Sequence, residues 1–304
     1  MEMHQVRYFL AVCETLNFTR AAENCNVSQP ALTRAVHKLE EELGGLLLRR
    51  ENNLTHLTDF GRLVRPHLEQ MMAQAEAAKS TATQFLRMDS APINLGVMCT
   101  VGPMRFMGFL AEFRMTHPGC EVTLIEGEPG HLAELLLDGK LDLAVMAQPE
   151  AFSDRIEVRP LYRERFCVAF PMGHRFREKN RVRIPDVAGE TYLLRINCEY
   201  RDHLNERCRE HGFAVQIGFR SEREDWIQMM VAAGFGICFI PEFSPTIPGV
   251  LTRLVADPEV VREVSLVSIA GRRFSPPVAA FARAIGGHRW PEPDEIPAAW
   301  TVNR

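Results

Sequence analysis

The strongest constraint on this chain lies in its first sixty residues, where three apolar stripes at helical spacing are joined by very short turns. Val6, Phe9, Leu10, Cys13 and Leu16 mark an amphipathic helix over residues 3–16. A second, short helix is expected over about 19–25, carrying Ala21 and Ala22. Val27-Ser28-Gln29-Pro30 then makes a turn in which Ser28 can cap and Pro30 is tolerated in the first helical turn. A third helix over about 29–43 buries Ala31, Leu32, Ala35, Val36, Leu39 and Leu43, and Gly44-Gly45 ends it. Small residues at 21, 22 and 31 let the last two helices cross closely, the arrangement of a helix-turn-helix. That crossing projects Ser28, Gln29, Thr33 and Arg34 toward a DNA major groove, with His37 and Lys38 one turn on. Gln suits adenine and Arg suits guanine there, while Ser and Thr suit bases or phosphates. Residues 46–57 read as two short strands around a Glu51-Asn52-Asn53 tip, which makes the unit a winged helix.

Residues 58–86 return to helical spacing, with Thr58 as N-cap and Asp59 in the first turn. Val64, Leu68, Met71, Ala75, Ala78, Ala82 and Phe85 alternate by fours and threes, a heptad seam. Pro66 inside it should cost one backbone bond and a slight bend. Packing on the chain's own core is one use of such a stripe; three heptads with small alanines favour a partner helix, and so a homodimer on paired DNA half-sites.

After a polar break the pattern becomes α/β. Strands are expected at 93–98, 121–126, 141–146, 166–170, 191–195, 214–219, 236–240 and 264–269. Helices are expected after Pro103, at 132–137, 199–211, 224–233 and 277–285, giving a mostly parallel sheet in two lobes. The organisation read from this is a DNA-binding domain at 1–58, a dimerising linker helix at 59–88 and a two-lobed domain at 89–288. Lobe I takes about 89–163 and 264–288, lobe II about 164–263, and 289–304 is a flexible tail. Ligands in such sheets bind beyond strand C-termini and at helix N-termini. That selects Cys99, Thr100, Glu128, Gln148, Asn197 and Cys198, and free N–H groups there favour an anionic effector. Each of these positions is equally explained by the capping needs of a strand-to-helix turn.

Composition narrows the class. The net charge of −4 gives no global sign of nucleic acid, and residues 1–87 hold ten Lys/Arg against ten Asp/Glu, so DNA binding would rest on a local patch. Eight cysteines in 304 residues are no disulfide scaffold. No apolar run is long enough for a transmembrane helix, and Glu2, Arg7 and Glu14 leave no signal-peptide core, so a cytoplasmic chain is expected. A solute-binding transport protein would explain the lobes but would leave residues 1–87 idle. No Gly-x-Ser-x-Gly, complete phosphate loop or His-Glu-x-x-His supports an enzyme.

Asn17-Phe18-Thr19-Arg20-Ala21-Ala22-Glu23, then Val27 to Arg34, then Lys38-Leu39-Glu40-Glu41-Glu42-Leu43-Gly44 resemble the N-terminal domain of the LysR-type transcriptional regulators. Leu47-Leu48-Arg49-Arg50 and Leu57-Thr58-Asp59-Phe60-Gly61 extend the match through the wing into the linker. The resemblance implies DNA contacts at Gln29, Pro30, Thr33 and Arg34, with phosphate contacts at Ser28 and Lys38. It implies that Arg50 braces the wing or touches DNA, and that a minor-groove arginine of many members is replaced by Asn53, with Arg49 as a substitute. It also implies a periplasmic-binding-protein-like effector domain, a dimer or homotetramer, RNA polymerase as a partner, and no cofactor or metal.

Thr100-Val101-Gly102-Pro103, Gly139-Lys140-Leu141-Asp142, Ala188-Gly189-Glu190, Arg201-Asp202 and Cys208 resemble the peroxide-sensing branch of that family. The branch joins two cysteines, the second of which falls on Cys208. The first falls on Glu199, with Cys198 one place earlier, and the branch's peroxide-binding threonine falls on Pro129. Ten residues of helix span about 15 Å, while a disulfide needs Cα atoms under about 7 Å apart, so joining Cys198 and Cys208 would unravel the helix. Arg195, Arg201 and a helix N-terminus beside Cys198 are expected to lower its pKa. The alternative is a pair of inert thiols. Cys198, His203, Cys208 and His211 point in different directions round a helix, which argues against a zinc site.

Overall fold

In a computed structural model, which describes residues 1–51, 54–89, 91–292 and 295, the chain divides into two compact units between Phe85 and Leu86. In the first unit, α1 (Met3–Thr15), α2 (Phe18–Asn24) and α3 (Gln29–Leu43) close round Val6, Phe9, Val12, Ala21, Leu32, Val36 and Leu39. Asn17 starts α2 by accepting hydrogen bonds from the Thr19 and Arg20 amides at 2.9 and 3.1 Å. Ala21 and Ala22 are almost wholly buried, which permits the close crossing. Ser28 is the α3 N-cap, although its hydroxyl makes no capping bond, and Gly44 ends the helix at φ 74°, a left-handed conformation that glycine adopts without steric cost.

The wing is an antiparallel pair, β1 (Leu48–Glu51) and β2 (Leu54–Leu57). Asn53, expected at its tip, lies outside the described residues. Glu40, buried on α3, accepts from the Leu47 and Leu48 amides at 2.8 and 3.1 Å and so fixes the wing to the recognition helix. α4 (Asp59–Arg87) opens with Thr58 accepting from the Gly61 amide at 2.8 Å. Its seam divides. Leu68 is buried in the three-helix core, with Val64 and Met71 packed beside it, whereas Ala78 and Ala82 are exposed. The first part of the stripe is therefore own-core packing, while in the remainder Ala75 and Phe85 are half-buried and Ala78 and Ala82 exposed.

The second unit runs β3 (Ala91–Met98), α5 (Pro103–Thr116), β4 (Cys120–Gly127), α6 (Pro129–Leu137), β5 (Leu143–Met146) and β6 (Ile156–Pro171). It continues with β7 (Arg181–Arg183), β8 (Thr191–Arg195), α7 (Arg201–Glu210), β9 (Gln216–Ser221), α8 (Glu224–Ala232), β10 (Cys238–Pro241), β11 (Val250–Ala256), β12 (Val261–Ile269) and α9 (Pro276–Gly287). The main sheet has the order β4-β3-β5-β12-β6-β11-β7, with β10 also on β6 and a separate β8-β9 pair. β3 is parallel to β4 and β5, as the βαβ pattern requires. β12 is antiparallel to β5 and β6, and β6 is antiparallel to β10 and β11, so the sheet is mixed rather than mostly parallel. The reason is that β6 and β12 are paired through-strands of opposite direction that serve both lobes.

Each lobe has its own core. Phe106, Phe109, Phe113 and Phe281 centre lobe I, and Phe166, Phe170, Phe176 and Phe239 centre lobe II. β6 is longer than the strand expected at 166–170 and crosses the lobe boundary. The ladder shifts register at Val264/Ser265, where Pro160 and Tyr162 oppose successive residues and Leu161 bulges, which accommodates a proline that cannot donate. Trp290, the second residue of the expected flexible tail, stacks on Phe106 at 5.9 Å and packs on Tyr162 at 4.8 Å. No helix among the described residues is long and apolar enough to cross a membrane.

Candidate nucleic-acid interface and effector cleft

The turn before α3 and the first turns of that helix carry the expected DNA contacts. Ser28, Pro30, Arg34 and Lys38 are exposed, and Gln29 and Thr33 are half-buried. Gln29 Nε2 donates to Thr33 Oγ1 at 3.0 Å, which orders both side chains on one face. Lys38 is 3.9 Å from Glu2, a weak exposed pairing that leaves its charge available. Arg50 lies over the Phe18 ring at 4.1 Å, a cation–π contact that braces the wing against α2.

In the second unit a cleft of about 600 Å³ opens between the lobes, lined by Cys99, Gly102, Glu126, Asn197, Glu224 and Gln228 among others. Of the expected effector residues, Cys99 and Asn197 line it, and the Cys99 thiol faces the Asn197 carbonyl at 3.8 Å. Glu128 does not line it: it is an exposed N-cap of α6. Gln148 is turned to the Glu150 carbonyl at 3.2 Å, and Cys198 is packed into the lobe II core. Gly102 holds the lobes close, because a Cβ there would run into the Phe243 carbonyl. Gln228, buried on α8, shapes the far wall by donating to the Ser244 carbonyl at 3.0 Å and accepting from the Thr246 amide at 2.7 Å. The lining holds the carboxylates of Glu126, Glu222, Glu224 and Asp225; Glu224 is ion-paired to the buried Arg195 at 2.8 Å, and Asp225 to Arg223 at 3.0 Å. With those two pairs neutralised, Glu126 and Glu222 leave the lining a net negative charge.

Thr100 sits behind the cleft in a buried polar network. Its hydroxyl donates to Glu199 Oε2 at 2.8 Å and accepts from Arg262 Nη1 at 2.9 Å, while its carbonyl accepts from Arg262 Nη2 at 2.7 Å and Ser244 Oγ at 3.0 Å. Arg262 is ion-paired to Glu199 and, through Nε at 2.8 Å, to Glu164. The side chains of Arg262, Glu164 and Glu199 are 0, 0 and 3% exposed. Burial pushes the Glu164 carboxyl above the usual carboxylate range, against the pull of Arg262. Burial also opposes the charge on Arg262, but Glu164 and Glu199 together hold its pKa above the usual arginine range. Sequence reasoning missed Arg262 and Glu164. The available signal was phase: both stand at the inward positions of strands whose alternate residues, Tyr162, Phe166 and Val264, are apolar.

The thiols differ from expectation. Cys198 precedes α7 rather than starting it, and burial pushes its pKa up to about 11, although Arg195, whose Nη1 lies 3.6 Å from the sulfur, pulls the other way. Burial outweighs the neighbouring guanidinium, so the expected acidification is reversed. Cys208 is also buried, and burial pushes it to about 11. Among the described residues no cluster of His, Cys, Asp and Glu has the geometry of a metal site.

Residues 3–62 match the bacterial regulatory helix-turn-helix protein, lysR family, and residues 87–289 match the LysR substrate binding domain. The DNA-binding transcriptional dual regulator OxyR of Escherichia coli (strain K12) is 32% identical over 295 residues, covering 94% of this chain and 95% of that protein. The hydrogen peroxide-inducible genes activator of Pectobacterium carotovorum subsp. carotovorum is 32% identical over 245 residues, 80% of this chain and 81% of that protein. A full-length OxyR variant from Pseudomonas aeruginosa superposes with a TM-score of 0.63 at 26% identity, over 94% of this chain and 99% of that one. CbnR in complex with its target DNA shares the fold, with a TM-score of 0.68 at 21% identity over 94% and 98% of the two chains. A winged helix presenting a polar recognition face, followed by a two-lobed α/β unit with an open cleft, thus agrees with both domain matches, and the chain belongs to the LysR family of DNA-binding transcription regulators.

Proposed function

We propose that this regulator reads duplex operator DNA with Gln29, Pro30, Thr33 and Arg34, holds phosphates with Ser28 and Lys38, and is controlled by a small molecule in the inter-lobe cleft. It works as a homodimer or homotetramer built on the part of the α4 seam from Ala75 to Phe85, in the cytoplasm, with RNA polymerase as its downstream partner. The acidic lining favours a neutral or cationic effector held near Cys99, Asn197 and Gln228. A ligand that prefers one lobe arrangement shifts the population of that arrangement and, through it, the spacing of the DNA-binding heads.

The observation that carries this reading is the Glu199–Arg262 pair. A carboxylate occupies the position on which the first cysteine of the peroxide-sensing branch falls, and it is committed to Arg262 and Thr100 at the back of the cleft. Glu199→Gln and Thr100→Val test it: each should change the operator footprint without any oxidant, and unchanged footprints in both would remove the cleft from the mechanism.

The second reading is a thiol switch through Cys198 and Cys208. It is favoured by relatives 32% identical that are named for hydrogen peroxide. Two buried, weakly acidic thiols make it the lesser reading.

A further inference from the structure

The recognition helix carries a titratable side chain that the expected contact set leaves unused. Glu40 stands on α3 with its side chain 5% exposed, and its Oε1 is committed to the Leu47 and Leu48 amides at the base of the wing. Its Oε2 faces His37 Nδ1 at 3.1 Å, although the His37 side chain is 64% exposed. A carboxylate offers only acceptors, so the proton between the two is carried by His37 Nδ1. His37 Nε2 is left without a protein partner among the described residues. A buried side chain thus holds an exposed one in a single orientation, against the rotamer freedom an exposed side chain would otherwise keep.

Position decides what Nε2 can meet. Gln29, Thr33 and His37 follow at four-residue spacing on α3, and Arg34 is three residues before His37, so the ring continues the face of the expected DNA contacts. Base edges are read by the N-terminal residues of a recognition helix. His37 stands eight residues beyond Gln29, about 12 Å along the axis, and the major groove is itself about 12 Å wide. It is therefore carried from the bases to the phosphate wall, next to Lys38.

At that wall protonation decides the contact. A phosphate oxygen only accepts, and a neutral imidazole with its proton on Nδ1 also only accepts at Nε2, so the two cannot pair. A second proton makes Nε2 a donor and leaves the cation between Glu40 and the phosphate, and histidine changes charge at about pH 5–8. Neighbouring charges are engaged elsewhere: Glu2 is 3.9 Å from Lys38, Arg49 is 3.6 Å from Glu51, and Arg50 lies over Phe18. Glu14 of α1 and Glu23 of α2 make no ion pair with His37, and among the described residues Glu40 is its only carboxylate partner.

We infer that His37 is a further phosphate-contacting residue, positioned by Glu40, and that duplex binding takes up one proton per subunit from solvent at its Nε2. This rests on the reading of α3 as the helix that contacts the operator. Affinity for DNA then rises as pH falls.

The test uses the full chain and a duplex that it selects from a randomised pool. Wild-type affinity should fall about tenfold per subunit between about pH 6 and pH 8, whereas His37→Gln should bind weakly and equally at both. His37→Arg, a permanent cation, should keep at the higher pH the affinity that wild type shows at the lower. Relative to wild type, His37→Gln should lower the salt slope by about one per subunit. Calorimetry in phosphate and in Tris should register about one proton fewer taken up per subunit in His37→Gln. Glu40→Gln, which keeps an acceptor for the wing amides, should also reduce the uptake. Uptake unchanged in either variant would overturn the inference, as would wild-type affinity that rises with pH, the behaviour of a neutral imidazole accepting from a base amine. A wild type that selects no duplex at any pH would instead remove the reading of α3 on which the inference rests.

Discussion

Glu199 and Arg262 are ion-paired with side chains 3 and 0% exposed, and Thr100 bridges them through its hydroxyl. Among the described residues Arg262 is also the only cation paired to Glu164, so two buried carboxylates depend on one guanidinium. Arg262→Met should destabilise the effector unit by about 3–5 kcal/mol, since it leaves two buried charges without a partner. Glu199→Gln should cost less, about 1–3 kcal/mol, because the amide still accepts from Thr100. Urea unfolding of the three proteins measures both; equal stability of wild type and Arg262→Met would contradict the description of the network.

The buried thiols give a pH signature. Both native pKa values lie near 11, against an ordinary 9.0, so the unfolded chain loses these protons first. Their contribution to stability is full below pH 9 and is lost as pH rises through about 11. At pH 8 the native thiolate fraction should be about a hundredfold below that of the unfolded chain, and alkylation of Cys198 and Cys208 correspondingly slow. Mass-spectrometric labelling at pH 8 checks this. Fast native labelling of either residue would reverse the assignment.

On the proposed DNA-binding face, Arg34 is exposed, whereas Arg50 is occupied by Phe18. Arg34→Ala should reduce specific operator affinity about 10–100-fold and leave the oligomer intact. Arg50→Ala should cost about 0.5–1 kcal/mol of stability, with a smaller loss of specificity. Sequence-specific footprints that survive Arg34→Ala would remove it from the contact set.

The contact between lobes at Gly102 is a matter of space. Gly102→Ala would push a methyl group into the Phe243 carbonyl, so the lobes must part or the backbone must shift. A loss of about 1–3 kcal/mol is expected, with increased proteolysis at the cleft. A crystal structure of the variant with the lobes unmoved would show that the loop yields instead.

Several elements were legible because spacing and capping agree. The recognition helix has a turn before it and Gly44 after it, and α4 begins at Thr58 as its sequence suggests. β6 was underestimated because Pro160 and the charges around it interrupt the alternation, and the bulge that absorbs the proline depends on β12, about a hundred residues away. Arg262, Glu164 and Glu40 resisted prediction for one reason: a charged residue reads as solvent-facing until its partner is placed. The same holds for Cys198, whose flanking arginines suggested acidity while its burial, a tertiary property, set the direction.

The most direct test of the account is operator footprinting of the purified protein, reduced and then treated with hydrogen peroxide, alongside Cys198→Ser and Cys208→Ser. Control from the cleft predicts the same footprint for all three proteins, before and after oxidation. A footprint that changes on oxidation in the wild type, and fails to change in either serine variant, would contradict it and establish the thiol switch.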